Sequence, residues 1–252
     1  MTEAARSPLL GFREGRVIAR REWSSSLITL TVSAEIAPFF AGQFVHLGLT
    51  VNGQFLQRPY SLASAPGTPL EFYLTAARHA ALTPALFELG VGEALHVEER
   101  ARGAFTLEHV PNCRTLWMIA TGTGLGPFIA MLRTPLPWQR AERIVLVHGT
   151  RDAAQQSYAE ELELLQQTRE RRFTRVPIVS RENVAGALSG RVTSAIEDGS
   201  LEQRAEARLD ATSSHVMLCG NPPMVAEMLS VLESRGLNRH RPGNPGQIST
   251  ER

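Results

Sequence analysis

From residue 15 to about residue 110 the apolar positions fall into short runs separated by turn residues. Segments 15–23, 26–33, 42–49, 70–76 and 93–100 are each of strand length, and several alternate apolar with polar side chains. Pro38, Gly42, Asn52-Gly53, Pro66-Gly67 and Gly90-Val91-Gly92 punctuate them. Many short strands at this spacing predict an antiparallel barrel or sandwich. Segment 84–89 is the exception, a short helix with Thr83 as N-cap and Pro84 at its first position.

The rhythm changes after Cys113. Segment 115–120 is almost continuously apolar, and a glycine-rich turn and a helical stretch follow it. The same unit recurs three times: 143–149 before a helix over 155–168, 173–181 before 192–196, and 215–220 before 222–235. In the last helix Met224, Met228 and Val231 recur at helical intervals, and Asn221-Pro222 supplies the cap and first turn. Apolar strands alternating with amphipathic helices predict a parallel sheet covered on both faces. The chain thus reads as two domains, an antiparallel β domain over 1–110 and a parallel-sheet α/β domain over 111–252.

A length of 252 residues suits two domains of about 100–150 residues each. Against 25 acidic side chains stand 26 basic ones, a net charge of +1, so no overall field calls for nucleic acid. The positive charge is carried by arginine, which suits bidentate phosphate contacts. The first residues lack a basic segment followed by an apolar stretch, and no apolar run approaches the roughly 20 residues that span a bilayer. A cytoplasmic monomer away from membranes is expected. The two cysteines, Cys113 and Cys219, spell neither a disulfide framework nor a metal site. None of the 7 histidines has metal-ligand spacing, and no Ser-His-Asp set is legible.

The sharpest chemistry lies in the turn over 121–127, Thr-Gly-Thr-Gly-Leu-Gly-Pro. Alternating glycines directly after a buried strand let a backbone approach a diphosphate, and Thr123 adds a hydroxyl donor beside Gly124. The next strand ends in Val-His-Gly-Thr-Arg, with Arg151 where an acid would take a ribose hydroxyl; arginine instead accommodates a 2′-phosphate. Arg181 and Arg191 also fall where strands meet the following loops. Tyr158 either stacks on an adenine or packs. Cys219 ends its strand on the same ligand edge, beside a nicotinamide or as a buried small hydrophobe.

The run Arg-Pro-Tyr-Ser over 58–61 offers Arg58 for a flavin diphosphate and Tyr60 for a ring face, with Ser61 on the other side of the strand. A plain strand leading into the Pro66-Gly67 turn is the other reading. Phe72, Tyr73 and Leu74 on one strand, with Thr83 near a helix start, complete a candidate flavin clasp.

Taken together, Arg-Pro-Tyr-Ser, the Phe72 strand, Leu-Thr-Pro, the 121–127 turn, Val-His-Gly-Thr-Arg, Ile-Val-Ser-Arg-Glu, Ser-Gly-Arg and His-Val-Met-Leu-Cys-Gly-Asn-Pro-Pro-Met-Val resemble the bacterial ferredoxin–NADP+ reductases, in the flavodoxin-using branch. The likeness runs from about residue 15 to 251. It implies an N-terminal antiparallel β-barrel holding FAD and a C-terminal α/β domain holding NADP(H). Carried over by motif, Arg58, Tyr60, Ser61, Phe72, Tyr73, Leu74 and Thr83 fall to FAD, and Thr123 and Gly124 to a pyrophosphate. Arg151, Arg181 and Arg191 fall to the 2′-phosphate. Ser61, Cys219 and Glu251 fall to the reacting rings.

The branch commonly carries an aromatic pair just beyond its terminal Thr-Glu; here Thr250-Glu251 is followed by Arg252, so a more open flavin face is expected. The implied reaction passes a hydride between NADP(H) and FAD and single electrons between FAD and ferredoxin or flavodoxin. Arg16, Arg20 and Arg21 are candidates to receive that acidic partner. A flavin, ferric-chelate or quinone reductase on the same fold is the alternative activity. A catalytically silent flavin-binding regulatory subunit is the alternative of another class.

Overall fold

The computed structural model describes residues 9–76, 81–241 and 243–251. Expectations resting on residues 1–8 and on Arg252 lie outside that range. The first part of the chain forms β1 (Phe12–Ser24), β2 (Leu27–Ser33), β3 (Phe44–Val51), β4 (Gln54–Ser61), β5 (Leu70–Thr75), α1 (Leu82–Phe87) and β6 (Ala94–Glu98). The strands pair antiparallel in the order β4-β3-β6-β1-β2-β5. The sheet curls until its ends meet: Leu62, just past β4, bridges Phe72 of β5. Alternation supplies the interior, because Ile28, Leu30 and Val32 of β2 and Phe72 and Leu74 of β5 point inward and are buried together. Leu82 and Leu86 of α1 join that cluster.

The second part runs β7 (Cys113–Thr121), α2 (Gly126–Leu132), α3 (Leu136–Arg140), β8 (Ala141–Thr150), α4 (Ala159–Arg169), β9 (Phe173–Val179), β10 (Leu188–Ser189), α5 (Val192–Glu197), α6 (Ser200–Ala205), β11 (Ser214–Cys219), α7 (Pro222–Ser234) and β12 (Ile248–Thr250). All strands pair parallel, in the order β10-β9-β8-β7-β11-β12. The unbroken apolar run of β7 follows from two covered faces. Leu116, Met118 and Ala120 pack with Phe128 and Ile129 on one face, and Trp117 and Ile119 with Val192, Ile196 and Met228 on the other. The first of these clusters also takes in Leu27, Ala63 and Tyr73, so the two sheets share a core where the domains meet.

Three local expectations change. Helix α1 starts at Leu82 behind Ala81, which makes no side-chain cap, and ends at Phe87 rather than Leu89. Pro84 therefore sits in the first turn, where its missing N–H costs little, and the Thr83 hydroxyl goes to Tyr60 instead. The helix after Arg151 begins at Ala159, because Tyr158 is left-handed (φ 58°) and redirects the chain. The short elements α3, α6, β10 and β12 carried no clear period. Among the described residues no helix is long and apolar enough to cross a membrane.

Candidate functional site

A cleft of about 970 Å³ opens at the carboxyl ends of β7, β8, β9 and β11, closed on its far side by Ser61 at the end of β4 and by Leu27 and Thr75. This is the edge at which open parallel sheets take ligands. Thr123, Gly124, Arg151, Arg181, Arg191, Cys219 and Glu251 also line it.

After β7 the chain turns through a 3₁₀ segment, Gly122–Leu125, into α2. Gly122 needs a positive φ of 54°. Gly124 is required for closeness: a Cβ there would lie 2.5 Å from the Cys219 carbonyl oxygen. The glycine turn therefore rests directly on the end of β11. From the neighbouring strand His148, wholly buried, donates from Nε2 to the Gly122 carbonyl at 3.0 Å. Burial, aided by the Arg175 charge, pushes its pKa down to about 4, so the ring is neutral and the carbonyl fixes the proton on Nε2. His148 was not singled out from sequence; its place in an otherwise apolar strand was the available signal. Asn221 ties a further end, accepting from the Met224 amide at 2.8 Å while its own amide donates to Thr121 Oγ1 at 3.3 Å.

Glu251 follows β12, whose pairing with β11 brings it to the cleft, and its amide donates to the Leu218 carbonyl at 3.2 Å. Its carboxylate receives two donors. Ser61 Oγ donates to Oε1 at 2.8 Å, and Cys219 Sγ to Oε2 at 2.7 Å. The three groups come from both domains. Burial and the adjacent carboxylate push the Cys219 thiol well above its ordinary range, so it is a neutral donor rather than a thiolate. Cys113 lies away from the cleft, half-buried at the start of β7, and burial pushes its thiol to about 11.

Arg151 and Arg181 stand side by side at the ends of adjacent strands, the Arg181 amide donating to the Arg151 carbonyl at 2.9 Å. Neither makes a salt bridge among the described residues. Arg191 is the N-cap residue of α5 and pairs with Glu227 of α7 at 3.4 Å. Three exposed guanidinium groups thus face one end of the cleft, while Ser61, Cys219 and Glu251 occupy the other.

The flavin-side candidates divide. Arg58 is exposed, and among the described residues its Nη1 donates to the neighbouring Gln57 carbonyl alone, at 2.9 Å. Tyr60 is half-buried and hydrogen-bonds Thr83 at 3.0 Å; burial raises its pKa. Phe72 and Leu74 are buried in the interior of the curled sheet, and Tyr73 is buried against the other domain, its hydroxyl donating to Ser157 at 2.8 Å. These three side chains are committed to packing, which leaves only their main chain to a ligand.

Tyr158 takes the packing alternative. Its ring is 4% exposed, lies 4.6 Å from Trp23 and 5.4 Å from Tyr73, and its hydroxyl shares a 2.8 Å hydrogen bond with Thr29. No ring face is left for an adenine, so its assignment as a cofactor contact is withdrawn. The candidate docking arginines are also engaged. Arg16 donates to the Gly92 carbonyl at 2.6 Å, Arg20 pairs with Glu22, and Arg21 crosses the domain boundary to Glu160 at 3.0 Å while lying 3.9 Å over Trp23.

Residues 118–229 match the family model described as oxidoreductase NAD-binding domain. The flavodoxin/ferredoxin–NADP reductase of Escherichia coli (strain K12) is 42% identical over 214 residues, covering 84% of this chain and 86% of that protein. The protein of the same name from Buchnera aphidicola subsp. Baizongia pistaciae is 36% identical and covers 94% of this chain and 96% of its own length. A crystal structure of a ferredoxin NADP+ reductase from Neisseria gonorrhoeae, with bound FAD and NADP, superposes with a TM-score of 0.90 at 28% identity, over 96% of this chain and 99% of that one. With a cleft of this make-up between a curled antiparallel sheet and a parallel one, and with these relatives along nearly its whole length, the chain belongs to the ferredoxin/flavodoxin–NADP reductase family.

Proposed function

We propose that this protein transfers a hydride between NADP(H) and FAD and single electrons between FAD and a ferredoxin or flavodoxin. The observation that carries the reading is one cleft with a cluster of three arginines at one end and Ser61, Cys219 and Glu251 from both domains at the other. The residues fit a phosphorylated dinucleotide: a glycine turn that approaches its neighbour too closely for any side chain at Gly124, and an arginine set suited to phosphate. When bound, FAD and NADP(H) supply the hydride and electron chemistry, and the protein supplies position and electrostatics.

In this reading Thr123 and Gly124 approach the pyrophosphate of NADP(H), and Arg151, Arg181 and Arg191 recognise its 2′-phosphate. Arg58 serves the FAD diphosphate, Tyr60 with Thr83 behind it presents a ring to the flavin, and the main chain of Phe72, Tyr73 and Leu74 borders it. Glu251 holds the Ser61 hydroxyl and the Cys219 thiol as oriented neutral donors and keeps a carboxylate next to them. A fixed hydroxyl and thiol on one acceptor limit the orientations open to rings packed between them. We take 1–110 as the FAD-binding barrel and 111–252 as the NADP(H)-binding domain. The Leu62–Phe72 bridge between edge strands and the family match within the second segment support that division. We take the protein to act as a cytoplasmic monomer.

Anaerobic stopped-flow absorbance tests the reading. The FAD-loaded protein is mixed with NADPH or NADH, and the reduced protein then with oxidised ferredoxin or flavodoxin. Fast bleaching that favours NADPH, followed by fast reoxidation by either protein, is expected. Equal rates with both nucleotides would overturn the 2′-phosphate reading, and slow transfer to both proteins would overturn the protein acceptor.

A further inference from the structure

Among the described residues two carboxylates line the cleft. Glu251 is occupied by Ser61 and Cys219. The other, Glu227, stands among the arginines, where a site for an anion has no evident use for a negative charge. It projects from α7 one turn beyond Met224, the residue whose amide is capped by Asn221. Its Oε1 lies 3.4 Å from Arg191 Nη1, and its Oε2 accepts from the Thr193 hydroxyl at 3.5 Å. Thr193 is buried, so it fixes the carboxylate from the side away from solvent. Glu182, next to Arg181, is engaged otherwise, accepting from the Ala153 amide at 2.9 Å. Of the three arginines, Arg191 is thus the one with its charge already answered.

We propose that Glu227 is a specificity-setting residue that holds Arg191 in the nucleotide-free protein and competes with the 2′-phosphate of NADP(H) for its guanidinium. The inference rests on the NADP(H) reading of the cleft. A dinucleotide carrying the 2′-phosphate must draw Arg191 from Glu227, so part of the phosphate contact is spent on opening that pair. A dinucleotide without it leaves the pair closed. Glu227 therefore narrows the gap between NADP(H) and NAD(H) and eases release of the phosphorylated form. The pair is largely exposed, so the effect falls in the range of surface ion pairs, about twofold to fivefold in affinity, and shrinks as salt rises.

The test is calorimetric titration of the FAD-loaded protein with adenosine 2′,5′-bisphosphate, and with AMP as the probe lacking the 2′-phosphate. The unsubstituted protein, E227Q, R191Q and the double variant are compared at low and high salt. Glu227→Gln is expected to bind the bisphosphate about twofold to fivefold more tightly with AMP unchanged, and to lose that gain in the R191Q background. Unchanged or weaker bisphosphate binding by E227Q would overturn the proposal. An equal gain in the R191Q background would also overturn it, because the carboxylate would then repel the phosphate directly. Should the unsubstituted protein bind the bisphosphate no better than AMP, the NADP(H) reading itself fails, and this inference with it.

Discussion

Arg133, at the carboxyl end of α2, ties the glycine turn's helix to β5 and to the segment just past Ser61, and Arg133→Met isolates what that tie is worth. Its guanidinium donates from Nε and Nη2 to Glu161 at 2.7 and 2.8 Å, and from Nη1 to Glu71 at 2.8 Å and to the Ala63 carbonyl at 3.1 Å. The two carboxylates belong to different domains, and Ala63 lies two residues past Ser61. The side chain is 26% exposed, between the surface pairs worth under about 1 kcal/mol and the buried ones that cost about 3–5 kcal/mol when broken. Hydrogen bonds to charged groups add about 1.5–3 kcal/mol, so the truncation should cost roughly 2–3 kcal/mol, because water reaches Glu161 and relieves part of the penalty. In a protein of this size that lowers the thermal midpoint by roughly 4–12 °C. Arg133→Lys keeps the charge but cannot form the fork, and should recover less than half of the loss. Differential scanning calorimetry of the FAD-loaded protein reads the stability, and stopped-flow bleaching by NADPH reads the alignment of the two domains. A midpoint within about 1 °C of the unsubstituted protein would refute the reasoning, since three contacts to carboxylates and one to a carbonyl would then have contributed nothing beyond a single exposed pair.

Glu251→Gln removes the charge that, after burial, raises the Cys219 thiol, so the pH profile of Cys219 alkylation should move to lower pH, and flavin bleaching should slow about tenfold because the amide keeps one acceptor oxygen for two donors. An unmoved alkylation profile would refute it. Gly124→Ala forces a Cβ to 2.5 Å from the Cys219 carbonyl, backbone that cannot step aside, and overpacking of about 1–3 kcal/mol should appear as a lower thermal midpoint together with weaker NADP+ binding by titration. His148 and His215 are both buried with pKa values pushed down to about 4, while in the unfolded chain each titrates near 6.5. Between those values the unfolded state binds the extra proton. Stability is therefore full above about pH 6.5 and falls as pH drops toward 4, by up to about 1.4 kcal/mol per pH unit for each ring. Urea unfolding of His148→Gln across pH 4–7 should show a shallower slope than the unsubstituted protein.

What could be seen in the sequence was whatever the chain decides locally. The parallel strands stood out because β7, β8 and β11 are covered on both faces and so are apolar at nearly every position, and α7 because Asn221-Pro222 caps it and Met224 and Met228 share its buried face. The glycine turn announced itself for a related reason: a close backbone approach can be met by one residue type. Features decided by a distant partner were hidden. Nothing near Thr83 says that its hydroxyl is claimed by Tyr60 rather than by a helix end, and nothing near Tyr158 says that Trp23, Tyr73 and Thr29 will enclose it. Glu227 escaped notice because a lone glutamate on a helix has no pattern; its meaning comes from Arg191, 3.4 Å away at the start of the neighbouring α5.

Glu251 illustrates the limit most sharply, and also what the fold does with it. Its partner Ser61 is 190 residues away, in the other domain, and its partner Cys219 ends a strand that the carboxylate reaches only because β12, three residues long, pairs beside β11. So short an edge strand has little pairing energy of its own. Its hold on the cleft comes from Ile248, buried in the core, from Ser249 hydrogen-bonded at 3.0 Å to the buried His215, and from the Glu251 carboxylate itself. The group that joins the two domains at the proposed reaction centre is thus carried on one of the most lightly anchored strands of the sheet. Anchoring β12 and assembling the polar trio are consequently coupled: whatever loosens β12 also frees the Ser61 hydroxyl and removes the Glu251 share of what raises the Cys219 thiol, the share due to burial aside.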